Sequence, residues 1–201
     1  MKIFSCITFL FLGILSLTAG PVPMIESVPK RLRVDQPILE LASSYQRKIV
    51  SPNTNFKYRV ATQMLTLKSP AVLHGPLFGG TFAVRSTLTL LAESIYSGPE
   101  THYFGFAARP SLEWWPESEK YYFYFSPGGG VGALDSRGVE GGQGQDFTLN
   151  ILVDGGIGIF LNDQTALKLG VQYHHFSNGG QTEPNPGLNL LGPQLGVSVF
   201  F

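Results

Sequence analysis

The sequence has almost no cysteine and few charged residues. Its one cysteine, Cys6, lies in an N-terminal apolar run, so the rest of the chain offers no thiol for a disulfide, a metal site or redox chemistry. Charged residues make up 14% of the chain, whereas about a quarter is usual in soluble proteins. The 14 basic and 14 acidic residues balance, which argues against a nucleic-acid partner. We therefore expect a medium other than water to cover much of the surface.

No apolar run is long enough to cross a bilayer as a helix, which takes about 20 residues. The most apolar segment, 3–17, is shorter than that. It follows Lys2 and is followed by the three small residues Thr18, Ala19 and Gly20, a pattern typical of a secretory signal peptide. The sequence therefore predicts a signal peptide over 1–20, cleaved at or shortly after Gly20, and then a polar lead segment over 21–36.

Helical periodicity is also lacking, because the remaining chain breaks into apolar or alternating runs separated by Gly, Pro, Asn and Asp. An even number of strands of about ten residues or more is typical of a bacterial transmembrane barrel, and closure leaves no sheet edge facing lipid. The predicted fold class is all-β: an eight-stranded antiparallel transmembrane β-barrel over 37–201, preceded by the signal peptide. The eight predicted strands are 37–50, 56–69, 80–96, 101–114, 120–134, 146–160, 164–177 and 188–201.

The last two predicted strands show their two faces most clearly. Odd-numbered positions are mostly apolar and even-numbered positions are small or polar, so the odd row is predicted to face lipid and the even row to face the lumen. The odd row includes Leu167, Leu169, Val171 and Tyr173 in one strand and Leu191, Leu195, Val197 and Val199 in the other. His174 is predicted to be an ordinary lumen residue, and side chains are expected to fill so narrow a barrel.

A histidine and a serine, His175 and Ser177, continue the odd row at its end. Residues two apart in a strand lie about 6.6 Å apart and point the same way, so the imidazole can activate the hydroxyl as a nucleophile. Polar side chains facing lipid are unfavourable as packing. They are useful chemically if the substrate is itself a lipid with an ester near its headgroup.

The strand that follows is predicted to bring a third polar residue to this pair. A register with Leu195 opposite Leu169 places Asn189 opposite His175, where the amide can orient the imidazole, as in a triad recognised by geometry. Asn178, directly after the serine, can donate a side-chain or backbone N–H to an oxyanion hole.

The segment His175-Phe176-Ser177-Asn178, followed by Pro184-Asn185-Pro186-Gly187, resembles the signature of the PagL-like lipid A 3-O-deacylase family. Members are eight-stranded outer-membrane barrels that hydrolyse an ester-linked acyl chain of lipopolysaccharide. The resemblance implies Ser177 as nucleophile, His175 as base and Asn178 in the oxyanion hole. It further implies lipid A as substrate at the outer leaflet, with no cofactor and no metal.

The chain departs from the family at the acidic member of its triad, where Asn189 stands. An amide cannot stabilise an imidazolium as a carboxylate does, and an Asp to Asn change in a serine protease triad costs about 10⁴ in rate. Glu183 lies in the same loop and is a second candidate for the acid. A non-catalytic outer-membrane barrel with a structural or lipid-packing role is therefore the alternative function.

A soluble ligand-binding barrel in the periplasm is disfavoured by the low charge and by the last residue. Phe201 resembles the terminal signal of outer-membrane barrels, which implies recognition by the barrel assembly machinery. The sequence leaves open which acyl chain is removed and whether the barrel forms a homodimer.

Overall fold

The structure, a computed structural model, describes residues 33–51 and 53–201. The predicted signal peptide and most of the predicted lead segment lie outside these residues. A short 3₁₀ helix, Arg33–Asp35, precedes the strands. The strands are β1 Ile38–Lys48, β2 Arg59–Lys68, β3 Leu73–Leu77, β4 Gly80–Ser97, β5 His102–Pro116, β6 Tyr121–Leu134, β7 Phe147–Phe160, β8 Thr165–Ser177 and β9 Leu188–Phe200. Among the described residues, no helix has the length and apolarity to cross a membrane.

Eight of these strands form one closed antiparallel barrel. Each long strand pairs with its neighbours in chain order, β1 pairs with β9, and a direct pairing of β2 with β4 completes the ring. The predicted all-β, eight-stranded antiparallel barrel is confirmed, and each predicted strand overlaps one of the eight long strands, with β4 and β5 running one and two residues past their predicted ends.

The short strand β3 was not predicted. It pairs only with the beginning of β4. In that part of the sheet it takes the place of β2, which pairs with the rest of β4. Its five residues include Gly75 and Pro76, which normally weaken a strand assignment. The Trp114 indole nitrogen supports it by donating a hydrogen bond of 2.9 Å to the Leu77 carbonyl, a tertiary contact that local sequence does not reveal.

The register of the strands sets their tilt. Starting at Ile38 in β1, we step from each residue to its paired residue on the next strand, through β2, β4 and the later strands. After one turn around the barrel the path returns to β1 at Lys48, ten residues farther along the chain. For eight strands this stagger corresponds to a tilt of about 40° from the barrel axis. Consequently, a row of paired residues climbs toward the end with the long loops as it passes from β8 through β9 and β1 to β2.

In β8 and β9 the odd-numbered residues face outward and the even-numbered residues face the lumen, as predicted. Val171 and Leu195 are exposed on the outer face, whereas Gln172, His174 and Phe176 are fully buried in the lumen. The prediction that His174 is a lumen residue is confirmed, since its Nδ1 lies 2.9 Å from the Glu93 carboxylate.

Alternation also divides the aromatic run at the start of β6. Phe123 and Phe125 are exposed on the outer face, whereas Tyr122 and Tyr124 point inward, and Tyr122 stacks on the buried Trp115. Only the outward half of this aromatic run can therefore face the membrane.

Buried ion pairs fill the middle of the lumen. The Lys168 ammonium lies 2.6 Å from Glu40 and 3.0 Å from Asp154. Asp154 also pairs with Arg109, and Glu40 also pairs with Lys68. Each charge thus has an opposite partner away from water, and the lumen is a packed polar core.

Replacing Lys168 with methionine should destabilise the barrel by about 3 kcal/mol, because two buried carboxylates then lose a cation that they share. Urea unfolding in detergent micelles, followed by tryptophan fluorescence, measures this change. Lys120→Met is the matched control, since Lys120 is exposed and should change stability by less than about 0.5 kcal/mol. Equal unfolding midpoints for the two variants would contradict the structural role of the network.

Candidate active site

The polar residues predicted from the end of β8 meet β9 on the outer face of the barrel. Leu169 pairs with Leu195, and His175 pairs with Asn189, so the predicted register is confirmed. The His175 Nδ1 lies 2.7 Å from the Asn189 Oδ1. His175, Ser177 and Asn189 are all half-buried, in contrast to the fully buried lumen residues between them.

The Asn189 amide is held in one orientation by its neighbours. Its Nδ2 donates a 2.6 Å hydrogen bond to the Val50 carbonyl, which turns its Oδ1 toward His175. The same Oδ1 accepts a 2.8 Å hydrogen bond from the Tyr173 hydroxyl, and the Asn189 backbone N–H donates to Ser51 Oγ at 2.9 Å. An amide oxygen only accepts, so the His175 Nδ1 must carry the proton. In the neutral imidazole, the lone pair is then on Nε2.

Ser177 ends β8 and hydrogen-bonds to the loop that follows. Its Oγ donates to the Asn185 Oδ1 at 3.3 Å and accepts from the Gly179 backbone N–H at 3.0 Å. No hydrogen bond joins Ser177 to His175 within the described part of the chain. Both side chains project from the same face of the strand, so a rotamer change at the serine would turn its hydroxyl toward the imidazole.

The Asn178 side chain lies on the other side of the strand from Ser177. It is fully buried, and its Nδ2 donates to the Gln143 carbonyl at 2.6 Å and to the Thr182 carbonyl at 2.7 Å. The side-chain amide therefore joins two loops. Of the two donors predicted at this position, only the backbone N–H is near Ser177, and it donates to the Asn185 Oδ1 at 3.0 Å.

Asn185 is a further candidate site residue, which the sequence did not identify. Its Oδ1 accepts from both the Ser177 hydroxyl and the Asn178 N–H, so it occupies the place where those two donors converge. The available signal was its position within Pro184-Asn185-Pro186-Gly187, which also reads as ordinary turn chemistry. Tyr173 was missed as well, although it is two residues before His175 on the same row.

A buried hydrogen-bond network supports the loops around the site. Ser136 contacts the Gln143 backbone N–H, and its Oγ donates to the Glu100 carboxylate at 3.0 Å. Glu100 also accepts the Tyr58 hydroxyl at 2.7 Å. Burial, and then the adjacent Glu100 carboxylate, raise the pKa of Tyr58, so the hydroxyl remains a donor. Gln143 also accepts from the Gly187 N–H at 3.3 Å, beside His175.

Glu183, the second candidate for the acid, is exposed. Its carboxylate forms no hydrogen bond or ion pair with any described residue, so the structure gives it no contact with the imidazole. Within 33–51 and 53–201, no group of three His, Cys, Asp or Glu side chains is arranged to hold a metal ion.

Comparison with known proteins adds one family, one curated relative and solved structures of similar fold. The family model described as PagL, lipid A 3-O-deacylase, matches residues 53–198. The lipid A deacylase PagL of Bordetella bronchiseptica is 31% identical over 91 residues, which are 45% of this chain and 47% of that protein. The alignment thus spans about half the length of that relative.

Two solved structures have a similar fold. The crystal structure of the outer membrane enzyme PagL superposes with a TM-score of 0.59 and 15% identity, covering 81% of this chain and 98% of that one. Neisserial surface protein A gives a TM-score of 0.52 and 13% identity, covering 82% of this chain and 97% of that one. At these identities the likeness concerns the fold.

Proposed function

Because this chain belongs to the lipid A 3-O-deacylase (PagL) family, we propose that it is an outer-membrane hydrolase that removes an ester-linked acyl chain from lipid A. The observation that carries the proposal is an imidazole and a hydroxyl on the outer face of a barrel, with the imidazole held in the tautomer of a general base. The outer face of the strands is largely apolar. A lipid substrate can reach that face directly from the membrane.

The proposed location is the outer leaflet of the bacterial outer membrane. The long loops at 135–145 and 178–187 lie at the same end of the barrel as Ser177, whereas the turns at 117–120 and 161–164 lie at the other end. Long external loops and short periplasmic turns are typical of bacterial barrels. This orientation puts Ser177 near the headgroups of the external leaflet.

In the proposed mechanism the Ser177 hydroxyl attacks the ester carbonyl while the His175 Nε2 takes its proton. His175 then donates that proton to the departing sugar oxygen, which leaves the acyl group on the serine. Water then attacks the acyl-enzyme while the His175 Nε2 takes its proton, and His175 returns that proton to the Ser177 oxygen as the fatty acid leaves. Every proton that moves is carried by one nitrogen of His175.

Asn189 is assigned the role of a positioning residue. Its oxygen holds the Nδ1 proton, so Nε2 is free to act, but it supplies no negative charge to the imidazolium that forms. For the oxyanion we assign the Asn178 backbone N–H, which becomes available when the Asn185 oxygen moves aside. The movement also releases the Ser177 hydroxyl toward His175.

Lipid A incubated with the purified barrel in detergent micelles tests this function. Mass spectrometry should show lipid A losing one acyl chain, with the matching free fatty acid appearing in solution. An unchanged lipid A mass at high enzyme concentration would contradict the proposal.

A non-catalytic, lipid-packing barrel is the second candidate, and two observations favour it. The third residue of the triad is an amide, and the Ser177 hydroxyl donates to Asn185 instead of His175. This candidate predicts that lipid A stays intact at all enzyme concentrations while the barrel remains folded.

A further inference from the structure

Basic residues gather at one place on the outer end of the barrel. Arg47 lies near the end of β1 and pairs directly with Arg59 at the start of β2. Both are exposed, as is Lys57 two residues before Arg59. A fourth basic residue, Lys48, donates a 2.7 Å hydrogen bond to the Thr54 carbonyl in the loop that follows β1. We call Arg47, Lys57 and Arg59 the cationic patch.

The cationic patch has no acidic counterpart on the protein. Among the described residues, no carboxylate lies within ion-pair distance of Arg47, Lys57 or Arg59, although the exposed Arg137 at the same end has Asp146 at 3.9 Å. Like charges placed directly opposite each other on a sheet face destabilise it. An anion bound from outside the chain would offset the repulsion between Arg47 and Arg59.

In the proposed orientation, the patch lies at the level of the lipid headgroups. Tyr45, two residues before Arg47 in β1, is exposed on the same face, and tyrosines are enriched where membrane meets water. The arginines follow on the side of the long loops. Their guanidinium groups are then placed above the acyl layer, where lipid phosphates lie.

The patch lies on the same outer face as the proposed active site. Arg47 pairs with Leu191, and Leu191 pairs with Tyr173, so two strand spacings, or about 10 Å, separate Arg47 from Tyr173. The tilt raises Arg47 and Arg59 by about 6 and 9 Å above Tyr173, while Ser177 lies about 10 Å above it and about 8 Å farther from the patch, because the rising β8 leans away from β9. The backbones at Arg47 and Ser177 are therefore at nearly the same height and about 16 Å apart along the outer face.

We propose that Arg47, Lys57 and Arg59 bind a phosphate group on the sugar headgroup of the lipid whose ester is presented to Ser177. This proposal rests on the proposed function and adds a phosphate-binding site to it. Guanidinium groups bind phosphate through paired, charge-assisted hydrogen bonds. Anchoring the headgroup at this distance would orient the disaccharide so that an acyl ester lies over β8.

The first test is a binding measurement that does not need turnover. Ser177→Ala protein in micelles is titrated with phosphorylated lipid A and with the same lipid after phosphatase treatment. The phosphorylated lipid should bind about thirtyfold more tightly, and Arg47→Gln combined with Arg59→Gln should abolish the difference. Replacing both arginines with lysine should retain part of it. Equal affinities of the two lipids for the Ser177→Ala protein would overturn the proposal.

The second test separates this proposal from the proposed function. This test uses proteins with Ser177 intact and compares kcat/KM for phosphorylated and dephosphorylated lipid A. In the double Gln variant the ratio of these two values should fall toward one, because KM for the phosphorylated lipid rises. Arg137→Gln, a rim arginine already paired with an acid, should leave the ratio unchanged. If the double Gln variant hydrolyses lipid A with an unchanged kcat/KM ratio, the proposed phosphate site is wrong and the proposed hydrolase function stands. If the parent protein binds the phosphorylated lipid selectively but does not hydrolyse it, the hydrolase function is wrong and the phosphate site stands.

Inorganic phosphate distinguishes the source of the anion. The site proposed here is for a lipid phosphate, so millimolar inorganic phosphate should compete only weakly with phosphorylated lipid A. Full displacement of the lipid at low millimolar inorganic phosphate would assign the patch to free phosphate and overturn the lipid proposal.

Discussion

Replacing Ser177 with alanine is expected to lower the rate of fatty acid release from lipid A by at least about 10³-fold. His175→Ala should cost about as much, because a nucleophile and its base act as one unit. For the same reason, the double variant should be no slower than either single variant. The measurement is the initial rate of fatty acid release in detergent micelles, with folding verified for each variant.

Two residues of the same barrel provide matched controls for this loss. Ser94 and His102 are exposed near the same end, on β4 and β5, and alanine at either position should retain the parent rate. An active Ser177→Ala protein, or a double variant much slower than both singles, would show that these residues do not form the catalytic unit.

Replacing Asn189 with leucine is expected to lower kcat by about 10² to 10⁴-fold, because the imidazole loses the acceptor that fixes its tautomer. The upper figure is the cost of the wrong tautomer in a serine protease triad. In this protein the Val50 carbonyl already turns the amide oxygen toward His175, so the natural asparagine avoids that cost.

The opposite change, Asn189→Asp, separates orientation from charge. An aspartate would stabilise the imidazolium, but one of its oxygens would face the Val50 carbonyl, where the amide now donates at 2.6 Å. We therefore expect a gain of only about tenfold in kcat, since charge-assisted hydrogen bonds are roughly twice as strong as neutral ones. A gain near 10⁴ would contradict the assigned tautomer, as would a leucine variant with the parent's rate.

Periodicity in the sequence is sufficient to predict most of this fold. Alternation places the odd residues of β8 and β9 outward, and one assumed pair, Leu169 with Leu195, fixes the contact between His175 and Asn189. These predictions succeed because a two-residue period and an antiparallel register are local properties. The same reasoning also separates His174, in the lumen, from its neighbour His175.

The rest of the site depends on contacts between distant parts of the chain. Val50 orients Asn189 from 139 positions away, and Asn178 is turned inward by the Gln143 carbonyl in another loop. No local pattern contains these contacts. Asn185 was overlooked because asparagine beside proline is equally expected in any turn.

The most direct test of the account is covalent labelling of the folded barrel with a long-chain fluorophosphonate, which reacts with activated serines. Peptide mass spectrometry should place the adduct on Ser177, and the reaction should disappear in His175→Ala. A barrel that stays unlabelled, or carries its label on another serine, would contradict the assignment of Ser177 as a nucleophile activated by His175.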